Sequence, residues 1–247
     1  MAGGKFWDGG DPSLVPMKRS SSDEFKIDSV TALTADIRAR FQALTSPNTA
    51  SIRNLRREFS KRLAHAEPAF ILKLALSLKK LPGFEFRFIG YELVQHHRAT
   101  LASLDVAALE KLGDGIDSWA AVDCFACYLA GPAWREGQIS DSVIRRWARS
   151  KDRWWRRVAI VSTVPLNNKA RGGVGDTPAT LMICGLLAGD RDDMVVKAVS
   201  WALRELSKRD PSSVRKFLQE YQDVVASRVA REVNSKLTTG LKNPRSH

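Results

Sequence analysis

The sequence predicts an all-α protein that repeats pairs of helices, and three observations support this fold class. From Asp28 onward, apolar residues recur three and four positions apart, which is the spacing of amphipathic helices. No segment alternates apolar and polar residues convincingly, as a half-buried strand would. Segments around Arg87, Asp123, Arg157 and Lys197 align with one another at intervals of 36, 34 and 40 residues. That period is typical of helix-pair repeats, which stack into a curved solenoid.

The predicted helices follow one another with turn signals between them. Apolar positions over 30–44 and 52–63 mark the first two, and Ser46-Pro47-Asn48 separates them. The third begins at Pro68 and ends before Pro82-Gly83, because proline suits a first helical turn and this pair stops a helix. The remaining helices are predicted over residues 84–95, 104–112, 118–129, 141–149, 152–164, 178–187, 192–208, 211–221 and 223–237.

The composition is that of a globular chain with a strong excess of positive charge. Its 247 residues include 39 Lys plus Arg against 27 Asp plus Glu, a formal net charge of +12. No stretch approaches the roughly 18–20 apolar residues of a membrane span, and no apolar signal segment opens the chain. We expect a monomer in the cytoplasm, associated with the nucleoid and with no membrane partner. The predicted organisation is a disordered leader over 1–24, one helical-repeat domain over 25–240 and a flexible tail over 241–247.

Equivalent positions of stacked repeats share one surface, so the aligned residues predict its charge. Arg87, Asp123, Arg157 and Lys197 would line a concave groove of cations with one carboxylate in its middle. The segment 145–157 adds seven cations and one acid, interleaved with tryptophans, which suits contacts to phosphates and to sugars or bases. Two alternatives stay open. The aligned charges could be ordinary interhelical ion pairs, which spacing alone favours, and the basic segment could be a cationic surface without specificity.

Two tryptophans stand at helical spacing from these aligned charges. Trp119 precedes Asp123 by four residues, and Trp201 follows Lys197 by four, so each pair shares one face of its helix. Most tryptophans in a helical repeat pack in the core. These two are nevertheless candidates for contact with a ligand, because each places an aromatic plate beside a charged side chain.

Three motifs occur in order at the separations of the repeat. They are Ser118-Trp119-Ala120-Ala121-Val122-Asp123, Trp154-Trp155-Arg156-Arg157-Val158-Ala159 and the segment from Lys197 to Lys208. Together they resemble the AlkD family of DNA alkylation-repair glycosylases over roughly residues 30–237. The resemblance implies a HEAT-like solenoid whose concave basic groove clamps double-stranded DNA. It also implies hydrolysis of the N-glycosidic bond of cationic N3- and N7-alkylated purines, in base excision repair, without a metal, a cofactor or base flipping.

The resemblance also gives individual residues their expected roles. Trp119 and Trp201 would flank the deoxyribose of the damaged nucleotide. Asp123 would be the catalytic carboxylate, and Arg157 would be its charged companion near the DNA backbone. The residues expected to contact DNA are Arg87, Arg153, Trp154, Arg156, Lys197 and Arg204.

Elementary chemistry supports a site with only one carboxylate. Ordinary glycosidases need two carboxyl groups, one of which protonates a poor leaving group. An N7-alkylated purine is already a cation and leaves without protonation, so one carboxylate can stabilise the developing positive charge on the sugar. Indole faces would add roughly 0.5–2 kcal/mol each by cation–π attraction. Arg157 is expected to lower the pKa of Asp123 and keep it ionised.

Other signals in the chain are given smaller roles. The Gly-rich loop 167–176, an insertion relative to the family pattern, lacks the Lys and Ser/Thr of a P-loop and is interpreted as a flexible connection. Ala120 also departs from the family, in which many members have a polar or aromatic residue. Cys124 and Cys127 form a C-x-x-C pair within a helix, where small buried thiols are a better interpretation than a redox or zinc site. His96-His97 receives no role.

Two other functions stay open at this point. One is a non-catalytic solenoid of the same ancestry that binds branched or distorted DNA, and the other is a scaffold whose groove binds an acidic peptide. Steep salt dependence would indicate a DNA-binding protein. Only the enzyme requires a carboxylate at position 123.

Overall fold

The computed structural model describes residues 29–243, and every regular element within them is helical. The predicted all-α class is therefore confirmed. The predicted leader over 1–24 lies outside the described residues, as do positions 244–247 of the predicted tail. The last helix ends at Thr239, where Gly240 adopts a left-handed conformation (φ 74°) that favours glycine and stops the helix.

Fifteen α-helices run through residues 29–243. The first eight are α1 (Val30–Gln42), α2 (Thr49–Arg62), α3 (Pro68–Leu78), α4 (Phe84–His96), α5 (Arg98–Ala102), α6 (Val106–Gly113), α7 (Trp119–Phe125) and α8 (Gly131–Arg135). The other seven are α9 (Asp141–Ala148), α10 (Arg153–Val161), α11 (Val164–Asn167), α12 (Thr177–Leu187), α13 (Asp193–Leu206), α14 (Pro211–Glu220) and α15 (Ser227–Thr239). A π-helical turn, Ala126–Ala130, joins α7 to α8, and a 3₁₀ turn, Lys169–Arg171, follows α11.

The longer helices pack as pairs in two layers, which is the arrangement of a helical-repeat solenoid. One layer consists of α2, α4, α7, α10, α13 and α15, and each of these helices contacts the next. In the other layer α1 contacts α3, α3 contacts α6, and α9 contacts α12. The pairs α3 with α4, α9 with α10, and α12 with α13 bury their apolar faces between the layers. The first of these layers carries both Asp123 and Arg157.

Several predicted helix boundaries differ from those of the structure. The predicted helix 118–129 continues beyond Phe125 as the π-helical turn, and α8 follows this turn without a break, with Pro132 in its first turn. The predicted helix 152–164 ends at Val161, and the next helix, which contains Pro165, starts separately. The predicted helix 223–237 begins only at Ser227, since the chain turns over residues 221–224.

Side-chain caps fix the first turn of the three helices that matter most for the site. The Ser118 hydroxyl accepts from the backbone N–H of Ala121 at the start of α7 (3.4 Å). Asp152 and Asp192 cap α10 and α13, each through a carboxylate oxygen that accepts from the N–H two residues later at 2.8 and 2.9 Å. The candidate residues of these helices therefore project from capped, well-defined turns.

Close backbone packing surrounds the π-helical turn that follows α7. A Cβ added at Gly131 would lie 2.3 Å from Cγ of Pro165 and 2.7 Å from the carbonyl oxygen of Ser162. Only glycine lets α8 approach α11 this closely, because both contacting groups belong to a buried, fixed part of the chain.

Replacing Gly131 by Ala is expected to lower the free energy of unfolding by about 1–3 kcal/mol, because the methyl group overpacks the contact with Pro165. Urea denaturation followed by circular dichroism measures the change. The exposed substitution Arg215→Ala on α14 serves as the control and should stay within about 0.5 kcal/mol of the wild type. Equal stability of Gly131→Ala and wild type would contradict the packing described.

Candidate active site

An ion pair between Asp123 and Arg157 lies between α7 and α10. The guanidinium donates from Nε to Oδ1 and from Nη2 to Oδ2 of the carboxylate, both at 3.0 Å. This two-bond geometry is the strongest form of carboxylate–guanidinium pairing. The Asp123 side chain is 20% exposed and that of Arg157 is 7% exposed. The carboxylate is thus held rigidly but still reaches the surface.

Arg157 makes a third contact that extends the pair to the next helix. Its Nη1 donates a short hydrogen bond to the carbonyl oxygen of Met194, in the first turn of α13. One guanidinium therefore joins α7, α10 and α13, which are three successive helices of the same layer. The sequence carries no signal for Met194, because a backbone acceptor leaves no mark in the side-chain pattern.

Burial changes the expected titration of Asp123. We expected Arg157 to lower the pKa of this carboxyl, but the pKa is raised from its ordinary value of 3.8. Desolvation by burial is the largest cause, and the hydrogen bonds and charge of Arg157 offset only part of it. Because both oxygens accept hydrogen bonds from a guanidinium, the geometry remains that of an ionised carboxylate.

The tryptophans of the site differ in exposure. Trp119 lies four residues before Asp123, and 58% of its surface is exposed. Among residues 29–243, no other aromatic residue is a large exposed apolar side chain. Trp201 is half-buried and packs against the core. Trp154 lies beneath the guanidinium of Arg153, whose carbon is 4.7 Å from the ring centroid. Trp155 packs on Trp147, with centroids 5.0 Å apart.

Two of the cations expected to contact phosphates keep much of their surface exposed. The side chain of Arg153 is 52% exposed and approaches Asp192 at 3.5 Å. Lys197 is 43% exposed and pairs with Asp193, one turn earlier on α13, at 2.5 Å. Exposed pairs of this kind are weak and exchange readily for another anion.

The other three expected cations are engaged within the chain. Arg156 donates to Asp190 at 2.7 Å and to two backbone carbonyls at the start of α10. Arg204 is half-buried and donates to Ser200 at 3.2 Å, beside Glu232. Arg87 donates to the carbonyls that end α6, including that of Gly115 at 2.8 Å. These three side chains are therefore held by contacts within the chain. Of the four aligned charges, Asp123 and Arg157 form an interhelical ion pair, as the open alternative describes.

The cysteines show no sign of activated thiols. Burial raises the pKa of both Cys124 and Cys127 to about 12, so both side chains are protonated at neutral pH. Metal binding and redox exchange require the thiolate. The burial and the raised pKa values favour the interpretation of Cys124 and Cys127 as small buried side chains.

The fold and site together define a class of protein. It is a helical-repeat protein that presents an ion-paired carboxylate next to an exposed indole. No helix within residues 29–243 has both the length and the apolar character required to cross a membrane. A family model described as DNA alkylation repair enzyme matches residues 36–237, so the chain belongs to the DNA alkylation repair enzyme family.

Two solved structures share this fold at low sequence identity. A predicted DNA alkylation repair enzyme from Enterococcus faecalis is 14% identical, with a TM-score of 0.66 over 85% of this chain and 95% of that one. The crystal structure of AlkD2 from Streptococcus mutans is 18% identical, with a TM-score of 0.59 over 85% and 98% of the two chains. No curated protein matches the chain. At these identities the structural likeness establishes the fold.

Replacing Arg157 by Gln is expected to lower the free energy of unfolding by about 3–5 kcal/mol, because a mostly buried carboxylate loses its counter-charge. Urea denaturation measures the loss. The double variant Asp123→Asn/Arg157→Gln should be more stable than Arg157→Gln alone, since it leaves no unpaired charge. Arg153→Gln is the control and should change stability by less than about 1 kcal/mol, because its ion pair is exposed. If Arg157→Gln were as stable as the wild type, the ion pair between Asp123 and Arg157 would not be what holds α7 and α10 together.

Proposed function

We propose that this member of the family is a DNA glycosylase that hydrolyses the N-glycosidic bond of cationic N3- and N7-alkylated purines in double-stranded DNA without flipping the base. The observation that supports it best is the state of Asp123. The carboxylate is fixed by two hydrogen bonds from Arg157, remains partly open to the surface, and lies one helical turn from the exposed ring of Trp119. Such a group stabilises a positive charge that develops beside it.

The proposed reaction requires little from the protein beyond this charge. The bond between the sugar C1′ and the purine nitrogen breaks, and its electron pair leaves with the base, which becomes neutral. Positive charge then develops on the sugar, next to the carboxylate of Asp123. Water adds to C1′ and loses a proton, which yields the free base and an abasic deoxyribose. No general acid is required, because the alkylated base is already cationic.

The surrounding residues have supporting roles in this proposal. Trp119 and Trp201 would line the deoxyribose, where an indole face favours a sugar that acquires positive charge. Arg153, Lys197 and Trp154 would contact the DNA backbone, since the two cations are exposed and only weakly paired. Arg87, Arg156 and Arg204 would instead position the helices through their contacts within the chain, and their contribution to DNA binding would be indirect.

A second candidate function is supported by one observation. Both oxygens of Asp123 already accept hydrogen bonds from Arg157. If this pair is purely structural, the protein binds branched or distorted DNA without cleaving the glycosidic bond. The two functions differ in whether DNA that carries a cationic purine loses its base.

The decisive assay incubates the protein with duplex DNA that contains 7-methylguanine and measures the free base released. We expect release by the wild type and a reduction of about 100- to 1000-fold for Asp123→Asn, because the electrostatic stabilisation of the sugar is lost. Asp114→Asn is the matched control, since that side chain is 81% exposed, and it should release base at the wild-type rate.

The possible outcomes separate the candidates. No release by the wild type, with duplex binding intact, would favour the non-catalytic function. Equal release by wild type and Asp123→Asn would reject the assignment of the catalytic carboxylate.

The rate of excision is expected to fall on acidification, with a midpoint above the ordinary aspartate pKa of 3.8. Burial raises the pKa of Asp123, and only the ionised form stabilises the sugar cation, so protonation begins at a higher pH than for an exposed aspartate. Single-turnover release is measured from about pH 4 to 8, with spontaneous base loss subtracted. Duplex binding at each pH is the control. An undiminished rate at about pH 4 would contradict the raised pKa.

A further inference from the structure

A cavity of about 780 Å³ lies beside the π-helical turn that follows α7. It is bounded by α2, the end of α4, the π-helical turn and the loop after α11. We call this cavity the arginine pocket, because its charged lining consists mainly of arginines. The arginines are Arg53, Arg56, Arg57, Arg135 and Arg171, and the carboxylate is that of Glu92. No local sequence pattern predicts this pocket, because its arginines come from three separate segments of the chain.

The charges within the arginine pocket do not balance. Glu92 is buried and accepts from Arg53 at 2.8 Å and from Arg56 at 3.1 Å, so its two oxygens serve two guanidiniums. Arg135 pairs with the exposed Glu136 at 2.9 Å. Among the described residues, no carboxylate lies within 4.0 Å of the guanidinium of Arg57 or Arg171. The cavity therefore keeps a net positive charge that an anionic ligand would neutralise.

The loop that carries Arg171 is a fixed part of the fold. Arg209 donates to the carbonyls of Asn167 at 2.9 Å and Gly173 at 2.7 Å, and Arg135 donates to the carbonyl of Arg171 at 2.8 Å. The guanidinium of Arg171 lies over the ring of Tyr128, with its carbon 5.2 Å from the ring centroid. The loop was expected to be a flexible connection, but its hydrogen bonds hold Arg171 in place before any ligand binds.

The arginine pocket is close to the candidate active site along the same helical axis. Tyr128, which lines the pocket, follows Asp123 by five residues in the continuous segment of α7 and the π-helical turn. At a rise of about 1.5 Å per residue, the two side chains start roughly 7 Å apart along the axis. The pocket and Asp123 are therefore separated by a distance that a few nucleotides of one DNA strand can span.

We propose that the arginine pocket binds consecutive phosphodiester groups of one DNA strand, beside the nucleotide at Asp123. This inference rests on the proposed function for the choice of DNA. Guanidinium groups match phosphate oxygens with two parallel hydrogen bonds, so an arginine-lined cavity suits phosphate better than a bulkier or neutral ligand. Arg57 and Arg171, which have no carboxylate partner among residues 29–243, supply the phosphate contacts. Arg53 and Arg56 stay paired with Glu92 and form the floor of the arginine pocket.

The test compares the salt dependence of duplex binding by wild type and by Arg57→Ala/Arg171→Ala. Each phosphate contact contributes about 0.9 to the slope of log K against log salt, so the double variant should lose about 1.8 of that slope. Arg215→Ala/Lys216→Ala on α14 is the control, because it removes the same charge from exposed positions of another helix. The control should keep the wild-type slope, and Arg57→Lys/Arg171→Lys should recover most of it.

Several outcomes would overturn the inference. An unchanged slope for Arg57→Ala/Arg171→Ala would do so, as would an equal loss in the control variant. Tripolyphosphate or an acidic peptide that binds the wild type more tightly than DNA does, and loses affinity in the variant, would assign the pocket to another ligand. Both substituted arginines are exposed, so circular dichroism should show a wild-type fold.

The same samples keep the two proposals separate. If the wild type binds duplex DNA but releases no base, the glycosylase proposal fails. The slope comparison would still decide whether the arginine pocket holds phosphates.

Discussion

The two hydrogen bonds between Asp123 and Arg157 are the interaction on which the rest of the site depends. A carboxylate this deeply placed is unfavourable unless a counter-charge accompanies it, and the same is true of a guanidinium. Arg157 also binds the first turn of α13, so one side chain fixes three successive helices. The geometry that orients the carboxylate is therefore the geometry that holds the solenoid together at this point. The orientation of this carboxylate and the stability of the fold are coupled there.

Positive charge is distributed differently from what the net charge of +12 suggests. Several cations of α10 and α13 have acidic partners at the start of α13 or in the loop before it, namely Asp190, Asp192 and Asp193. The segment 145–157 has many cations and one acid in sequence. Four of its seven cations acquire acidic partners in three dimensions, namely Arg146, Arg153, Arg156 and Arg157. In the arginine pocket, Arg57 and Arg171 have no acidic partner among residues 29–243. A polyanion would be guided by such uncompensated charges more than by the total.

A single carboxylate with limited exposure also constrains which substrates are chemically reasonable. Without a second acid to protonate the leaving group, a neutral purine would leave slowly, whereas an alkylated cationic purine needs only stabilisation of the sugar. Burial raises the pKa of Asp123 and removes water that would screen its charge, which strengthens its effect on a nearby cation. Under the proposed function, the site is matched to a leaving group that arrives already charged.

The sequence by itself determined the helical class, most helix positions, and the spacing that brings Asp123 and Arg157 together. Apolar periodicity and repeat intervals are local properties, and packing preserved them. Only the tertiary structure decided the pKa direction of Asp123, the intrachain partners of Arg87, Arg156 and Arg204, and the charge left over at Arg171. Each of these depends on groups distant in sequence, such as a backbone carbonyl or an acid from the next repeat. Desolvation and pairing of that kind arise from the packed solenoid, so no local pattern of residues encodes them.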